Sequence, residues 1–214
     1  MSKNFWLKRW EAGQIGFHQK NINPQLEKSW QSIKTNERPV FVPLCGKTLD
    51  MTFLAANGHK VIGVEFSEQA IKDFFNSLEL EPHIRTDGTF KIFEAGSYQI
   101  YCGDLFQLEL DFSNIAYIYD RASYIALDAS QREKYRNWIS KHLPHVSILL
   151  LTIEFDHLTA GPPFSISKTE LEQGFSSAFH LQCLFDEFID KEKSPHSDIT
   201  TYLIERVHKL TPKS

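Results

Sequence analysis

Two short apolar segments and the loop between them constrain the fold of this chain more than any other feature. Residues 40–44 lead into the loop 45–48, and residues 61–64 end directly in Glu65. This spacing predicts two strands joined through a helix, the unit of a parallel α/β sheet. Ligands of such sheets lie beyond the carboxyl ends of the strands, where an acid about 20 residues after the first loop binds ribose hydroxyls. Glu65 stands at about that distance from Gly46, so we predict that it binds a ribose.

The loop after the first strand excludes two other ligand classes. A dinucleotide pyrophosphate requires three glycines at this turn, whereas the loop carries Gly46 alone. The phosphate-loop motif requires a glycine five residues earlier, and Phe41 occupies that position. A nicotinamide-dependent reductase is therefore disfavoured. S-adenosyl-L-methionine fits better, because it carries a ribose without a pyrophosphate.

Composition excludes further function classes. A length of 214 residues predicts a single domain over 1–214, and 42% hydrophobic with 23% charged residues is ordinary for a soluble protein. The net charge of -4 offers no basic surface for nucleic acid. The sequence shows neither a signal-peptide pattern nor a run of ~18 apolar residues that would span a membrane. We therefore expect a cytoplasmic protein without a membrane partner, and a monomer is the simplest expectation.

The cysteines and histidines give no sign of a disulfide framework or a metal site. Cys45, Cys102 and Cys183 are spaced singly, and the nine histidines form no HExxH or clustered pattern. The chain also lacks the GxSxG motif of a hydrolase nucleophile. We expect reduced thiols, no bound metal and no covalent hydrolysis.

Strand and helix signals alternate along the chain. The first 35 residues hold two amphipathic segments, which we expect to form a helical cap over the site. Helix signals are the segment 48–57 ending at Gly58, the cap Ser67, and the capping boxes Ser130 with Glu133 and Ser167 with Glu170. Predicted strands are 40–44, 61–66, 90–94, 98–102, 115–119, 146–155, 181–188 and 200–207. The alternation predicts an α/β fold, with a mostly parallel sheet, helices on both faces and an antiparallel edge strand.

Polar residues stand where a ligand site would form, and each has a structural alternative. Asp120 and Arg121 follow the predicted strand 115–119. They either hydrogen-bond across their own turn or serve the ligand, since an arginine fork stabilises a carboxylate or a thiolate. Asp104 follows Gly103 and either accepts from an adenine amine or only shapes a turn.

Two aromatic segments are equally open to two interpretations. Trp6, Trp10 and Phe17 have a spacing that is common in a core. Residues 13–19 are punctuated by glycines, however, which favours a lid that excludes water. Residues 161–164, Gly-Pro-Pro-Phe, form either a rigid turn or the opposite wall of the pocket.

Six motifs occur in order along nearly the whole chain. They are Trp6-x-x-x-Trp10, Gly16-Phe17-His18-Gln19, Val42-Pro43-Leu44-Cys45-Gly46-Lys47, Gly58-His59-x-Val61-x-Gly63-Val64-Glu65, Tyr119-Asp120-Arg121-Ala122 and Gly161-Pro162-Pro163-Phe164. Together they closely resemble the thiopurine S-methyltransferase family, particularly its bacterial members. The resemblance implies a class I S-adenosylmethionine-dependent methyltransferase fold with a seven-stranded sheet and S-adenosyl-L-methionine as methyl donor. It also implies a small-molecule acceptor, an aromatic or heterocyclic thiol such as the thiopurine 6-mercaptopurine.

The resemblance further implies roles for individual residues. The positions that match cofactor contacts are Trp10, Leu44, Glu65 and Arg121, and those that align with further cofactor-side positions are Trp6, Asp104 and Leu105. Phe17 matches an aromatic residue beside the acceptor. Arg121 also lies near the sulfur in family members, which makes it the candidate catalytic residue.

The resemblance leaves the acceptor side more open than the donor side. Bacterial relatives are associated with methylation of selenium and tellurium species, so metalloid detoxification is a second implied activity. Residues 190–198 depart from the family pattern, and Lys191 and Lys193 are candidates there for holding an acceptor. A non-catalytic S-adenosylmethionine-binding module is the alternative function.

Overall fold

The computed structural model describes residues 3–156, 161–189 and 203–213. The Cα positions cluster into two compact units, Met1–Ile118 and Tyr119–Ser214. Lys191 and Lys193 lie outside the described residues, so their suggested role stays a prediction. The expectation of a single domain also stays a prediction.

Residues 3–118 contain four α-helices, two of which begin at a side-chain cap. They are α1 (Lys3–Glu11), α2 (Pro24–Ser29), α3 (Asp50–Ala56) and α4 (Glu68–Ser77). The Asn23 side chain caps α2 by accepting from the Gln25 N–H at 2.8 Å. The Ser67 hydroxyl caps α4 by accepting from the Ala70 N–H at 3.1 Å, which confirms the cap predicted there. Gly58, at φ +90°, follows the end of α3 as expected.

The sheet of the first unit has parallel strands at its centre. Its strands are β1 (Val40–Val42), β2 (Val61–Glu65), β3 (His83–Asp87), β4 (Phe90–Ala95), β5 (Tyr98–Cys102) and the start of β6 (Tyr117–Arg121). They lie in the order β3-β4-β5-β2-β1-β6. β1 pairs in parallel with β2 and β6, and β2 with β5, whereas β4 pairs antiparallel with β3 and β5. Every residue of β1 and β2 is buried, as expected for parallel strands that are covered on both faces.

Antiparallel pairing dominates the strands that lie wholly in the second unit. This unit holds α5 (Ala129–His142), α6 (Lys168–Phe175), β7 (Ser147–Phe155), β8 (Phe179–Ile189) and β9 (Leu203–Pro212). β9 pairs antiparallel with both β7 and β8. A register shift between Cys183 and Phe185 marks a bulge in β8. The antiparallel pairing of the last two strands confirms the sequence prediction.

The number of strands and the start of α5 differ from the sequence expectation. The described residues contain nine strands rather than seven. β3 carried no strand signal, because all of its residues are exposed and no apolar alternation marks it. The capping box of α5 is formed by Asp128 and Gln131 rather than by Ser130 and Glu133. Both pairs have the spacing of a capping box, and an aspartate is as good an N-cap as a serine, so local rules do not separate them.

Two further sequence expectations concern membranes and metals. No helix among the described residues is long and apolar enough to cross a membrane. Over the same parts of the chain, no group of three or more His, Cys, Asp or Glu side chains is arranged to hold a metal ion. Cys45 is buried, Cys102 is half-buried and Cys183 is exposed, and none of the three is in a disulfide.

Candidate functional site

The loop after β1 has a strained backbone at a position where the cofactor is expected to bind. Leu44 adopts φ +44° and Gly46 adopts φ +53°. The left-handed region costs a residue other than glycine about 1–2 kcal/mol, so surrounding contacts must hold Leu44 in place. One such contact is the Cys45 N–H, which donates to the Val64 carbonyl at 3.0 Å and ties the loop to the end of β2. Strain of this kind is concentrated at functional sites.

Glu65 lies at the carboxyl end of β2, where it is 6% exposed. Its Oε2 accepts from the Gly46 N–H at 2.9 Å, and its Oε1 accepts from the Ser67 N–H at 2.9 Å. Burial raises the pKa of Glu65 above its ordinary value, although the backbone hydrogen bonds from Ser67 and Gly46 act in the opposite direction. A carboxylate has about four acceptor positions. Glu65 can therefore fix the β1 loop and still accept from ribose hydroxyls.

Trp10 packs on the same loop. A side-chain carbon placed on Gly46 would lie 3.2 Å from Cζ2 of Trp10, so a larger residue here would push the indole back by a few tenths of an ångström. Lys47 Nζ lies 5.8 Å from the centroid of the Trp10 ring. The Phe17 ring meets Trp10 and Trp6 edge-on, with centroid separations of 5.4 and 5.7 Å. The three predicted aromatic residues thus form one half-buried cluster next to the loop.

A cavity of about 540 Å³ borders Trp10. It is lined by Leu7, Trp10 and Glu11 of α1 and by Ser67, Glu68 and Gln69 at the start of α4. The Ser67 N–H donates to Glu65, so one residue of the cavity lining is hydrogen-bonded to the carboxylate that is expected to bind ribose. Its volume lies within the ~300–1,000 Å³ typical of small-molecule sites. No motif marks Leu7, Glu11 or Gln69 in the sequence, because only the packing of α1 near α4 brings them together.

Asp104 follows the end of β5, which pairs with β2. Its Oδ1 accepts from the Phe106 N–H at 2.9 Å and caps a short 3₁₀ turn, Leu105–Gln107. The turn-shaping alternative therefore holds for this oxygen, while the half-buried carboxylate retains a second one. The Leu105 side chain is 1% exposed and belongs to the core. The Gly103 N–H donates to the Glu65 carbonyl at 2.9 Å, which places the ends of β5 and β2 side by side.

Arg121 belongs to the second unit, where it is the last residue of β6 and half-buried. Asp120 directly before it is 1% exposed. The Oδ1 atom of Asp120 accepts from the N–H groups of Ser123 at 3.2 Å and Tyr124 at 3.1 Å. Burial raises the pKa of Asp120, against the opposing effect of its hydrogen bonds. Asp120 thus bonds across its own turn, which was one of its two predicted roles.

The Pro-Pro-Phe segment is anchored within the second unit through Phe164. The Phe164 N–H donates to the Ile125 carbonyl at 2.6 Å, and the Arg132 guanidinium lies 5.6 Å from the Phe164 ring centroid. Arg132 is itself buried, donating from Nε to Glu170 at 2.6 Å and from Nη1 to the Leu127 carbonyl at 2.6 Å. A buried cation therefore joins α5 and α6 to this segment. No motif of the sequence pointed to Arg132.

Comparison with known proteins shows which family this chain resembles. A family model described as thiopurine S-methyltransferase (TPMT) matches residues 1–213. The thiopurine S-methyltransferase of Pseudomonas fluorescens (strain Pf0-1) is 38% identical over 215 residues, covering 98% of this chain and 99% of that protein. The probable thiopurine S-methyltransferase of Yarrowia lipolytica (strain CLIB 122 / E 150) is 41% identical over 215 residues, covering 98% of this chain and 100% of that protein.

A solved structure with the same fold is the 1,6-didemethyltoxoflavin-N1-methyltransferase of Burkholderia thailandensis, with bound 1,6-didemethyltoxoflavin and S-adenosylhomocysteine. It matches with a TM-score of 0.62 at 12% sequence identity, covering 98% of this chain and 87% of that one. At this level of identity the likeness shows the fold alone. That fold is the class I methyltransferase fold expected from the sequence.

Proposed function

The chain belongs to the thiopurine S-methyltransferase family, and we propose that it methylates the sulfur of aromatic and heterocyclic thiols such as 6-mercaptopurine. Family membership makes it an S-methyltransferase that uses S-adenosyl-L-methionine. One observation carries the proposal within the first unit. The buried carboxylate of Glu65 holds the strained β1 loop next to Trp10, beside a cavity of about 540 Å³.

The residues of the first unit fit S-adenosyl-L-methionine. Glu65 retains acceptor positions for the ribose hydroxyls, and the backbone around Leu44 is shaped for close approach by the methionine part. Asp104 has an oxygen left for the adenine amine, whereas Leu105 offers its backbone because its side chain is buried. Trp10, with Trp6 behind Phe17, would cover the bound group. When bound, the cofactor supplies an electrophilic methyl group on its sulfonium.

The acceptor requires alignment more than acid–base chemistry, because heterocyclic thiols ionise readily. In-line attack by the acceptor sulfur needs a fixed approach and a dry pocket, and alignment of this kind supplies up to about 7–11 kcal/mol. Phe17 offers an aromatic edge or face to the acceptor ring. We assign Arg121 the role of favouring the thiolate, since a guanidinium stabilises an adjacent anion. α1 and the segment that follows it are proposed to cap the site.

The test is formation of S-adenosylhomocysteine by the purified protein, given S-adenosyl-L-methionine and 6-mercaptopurine. The matched controls are a reaction without thiol and the Arg121→Ala variant. We expect thiol-dependent product with the wild type and a turnover at least tenfold lower with the variant, at an unchanged melting temperature. Normal turnover by Arg121→Ala would refute the role of Arg121.

The same assay separates the alternative functions. Calorimetric binding of S-adenosyl-L-methionine without product from any thiol would favour the non-catalytic binding module. Selenite and tellurite derivatives, added as further acceptors, test the proposed metalloid activity. Monomeric state and cytoplasmic location remain predictions from the sequence.

A further inference from the structure

The turn that follows Arg121 has a conformation that must be held by contacts. Ala122 adopts φ +70°, in the left-handed region that costs a residue with a side chain about 1–2 kcal/mol. The chain then enters a short 3₁₀ turn, Tyr124–Ala126. Arg121 is therefore the last residue of a strand that ends in a strained reversal. The backbone on which its side chain stands is held by whatever fixes that turn.

Asp120 is the group that fixes it. Its Oδ1 accepts from the Ser123 and Tyr124 N–H groups, so these hydrogen bonds link the residue before Arg121 to the two residues after Ala122. Its Oδ2 accepts from the Tyr135 hydroxyl at 2.6 Å. A buried carboxylate is tolerated only when such donors replace water. Asp120 therefore joins the end of β6, the turn and α5 through three hydrogen bonds.

Tyr135 extends this support into α5. Its side chain is 1% exposed, and burial together with the charge of Asp120 raises the pKa of Tyr135 well above its ordinary value. It therefore stays protonated and donates to Asp120. The adjacent Tyr124 ring lies 6.0 Å away, but its hydroxyl accepts from Arg136 Nη1 at 2.7 Å. Tyr124 is thus a neighbouring buried tyrosine whose hydroxyl has a different partner.

We propose that Asp120 and Tyr135 are positioning residues for Arg121, acting through the hydrogen-bonded turn rather than by contact with donor or acceptor. The inference rests on the proposed function only where it predicts a loss of turnover. The hydrogen bonds of Asp120 from which the positioning is inferred lie in the second unit and do not depend on that function. Tyr135→Phe isolates the effect, because it removes one hydroxyl and keeps the ring. Tyr124→Phe is its matched control.

The first readout is the ¹⁵Nε–¹Hε NMR signal of Arg121, assigned by its loss in Arg121→Ala. We expect Tyr135→Phe to shift or broaden this signal and Tyr124→Phe to leave it in place. An unchanged signal in Tyr135→Phe would overturn the proposal, whether or not the protein is active. If Tyr135→Phe moves the signal but the wild type forms no thiol-dependent product, positioning is supported and the proposed function is contradicted.

The second readout is turnover in a double-mutant cycle. Tyr135→Phe should lower kcat for 6-mercaptopurine about tenfold in the wild-type background, which corresponds to about 1.4 kcal/mol. It should cause no further loss when Arg121 is already alanine, since nothing is left to position. Equal losses in both backgrounds would mean that Tyr135 acts only on general structure. Thermal unfolding of each variant measures that general contribution separately.

Discussion

His208 is a buried group whose protonation should destabilise the protein at mildly acidic pH. It is 2% exposed on β9, and its Nε2 has no hydrogen-bond partner among the described residues. Burial lowers the pKa of His208 from 6.5 to about 4, and the positive charge of Arg206 acts in the same direction. Lys168 adds a smaller effect of the same sign, while Asp186 opposes it. The folded protein therefore keeps this imidazole neutral.

The sign and size of the effect follow from proton linkage. Because the pKa is lower in the folded state, the unfolded chain takes up a proton first as the pH falls. Stability is therefore full above pH 6.5 and is lost progressively towards pH 4. One unit of pKa corresponds to about 1.36 kcal/mol. The shift thus removes about 3 kcal/mol in total, of which about 2 kcal/mol is lost between pH 7 and pH 5.

The assay is urea unfolding of the wild type and His208→Leu at pH 7, 6 and 5. Leucine cannot take up a proton, and in the register of the sheet it would face Leu150 of β7. Its packing effect is the same at each pH, so the difference between wild type and variant isolates the titration. Between pH 7 and pH 5, we expect the free energy of unfolding of the wild type to fall by about 2 kcal/mol relative to that of His208→Leu. His180→Gln, exposed on β8, should show the wild-type dependence. A difference that does not change with pH would refute the reasoning.

Two further substitutions test the site and its support. Glu65→Ala should raise the Kd of S-adenosyl-L-methionine at least tenfold, about 1.4 kcal/mol, because both the β1 loop and the ribose lose an acceptor. Unchanged affinity by calorimetry would remove Glu65 from the site. Glu81→Ala, at an exposed position, is the control. Arg132→Lys should lower the free energy of unfolding in urea by about 2 kcal/mol, since lysine cannot donate to Glu170 and a carbonyl in the same fork. Arg136→Lys, which gives up one hydrogen bond, should lose less; an equal loss would contradict this account.

Features that depend on neighbours along the chain could be predicted from the amino-acid sequence. β1 and β2 are fully buried parallel strands, and this kind of burial requires continuous apolar runs that are visible in the sequence. The Ser67 cap of α4 was predictable because its contact spans three residues. The place of Glu65 at the end of β2 was predictable, because the last residue of a buried apolar run can be found in the sequence. The joint occurrence of six motifs then identified the family.

Contacts between residues far apart along the chain could be found only in the folded structure. The Tyr135–Asp120 hydrogen bond joins residues 15 positions apart, and the Arg132–Glu170 pair joins residues 38 apart. A hydrogen bond between such positions leaves no periodic pattern, because either partner alone reads as an ordinary polar residue of a helix or strand. β3 was missed for a related reason, since an exposed edge strand is selected by the strand it pairs with and not by its own apolar spacing. Local preferences thus account for the predicted strands and helices, whereas packing between distant residues brings Asp120 and Tyr135 together.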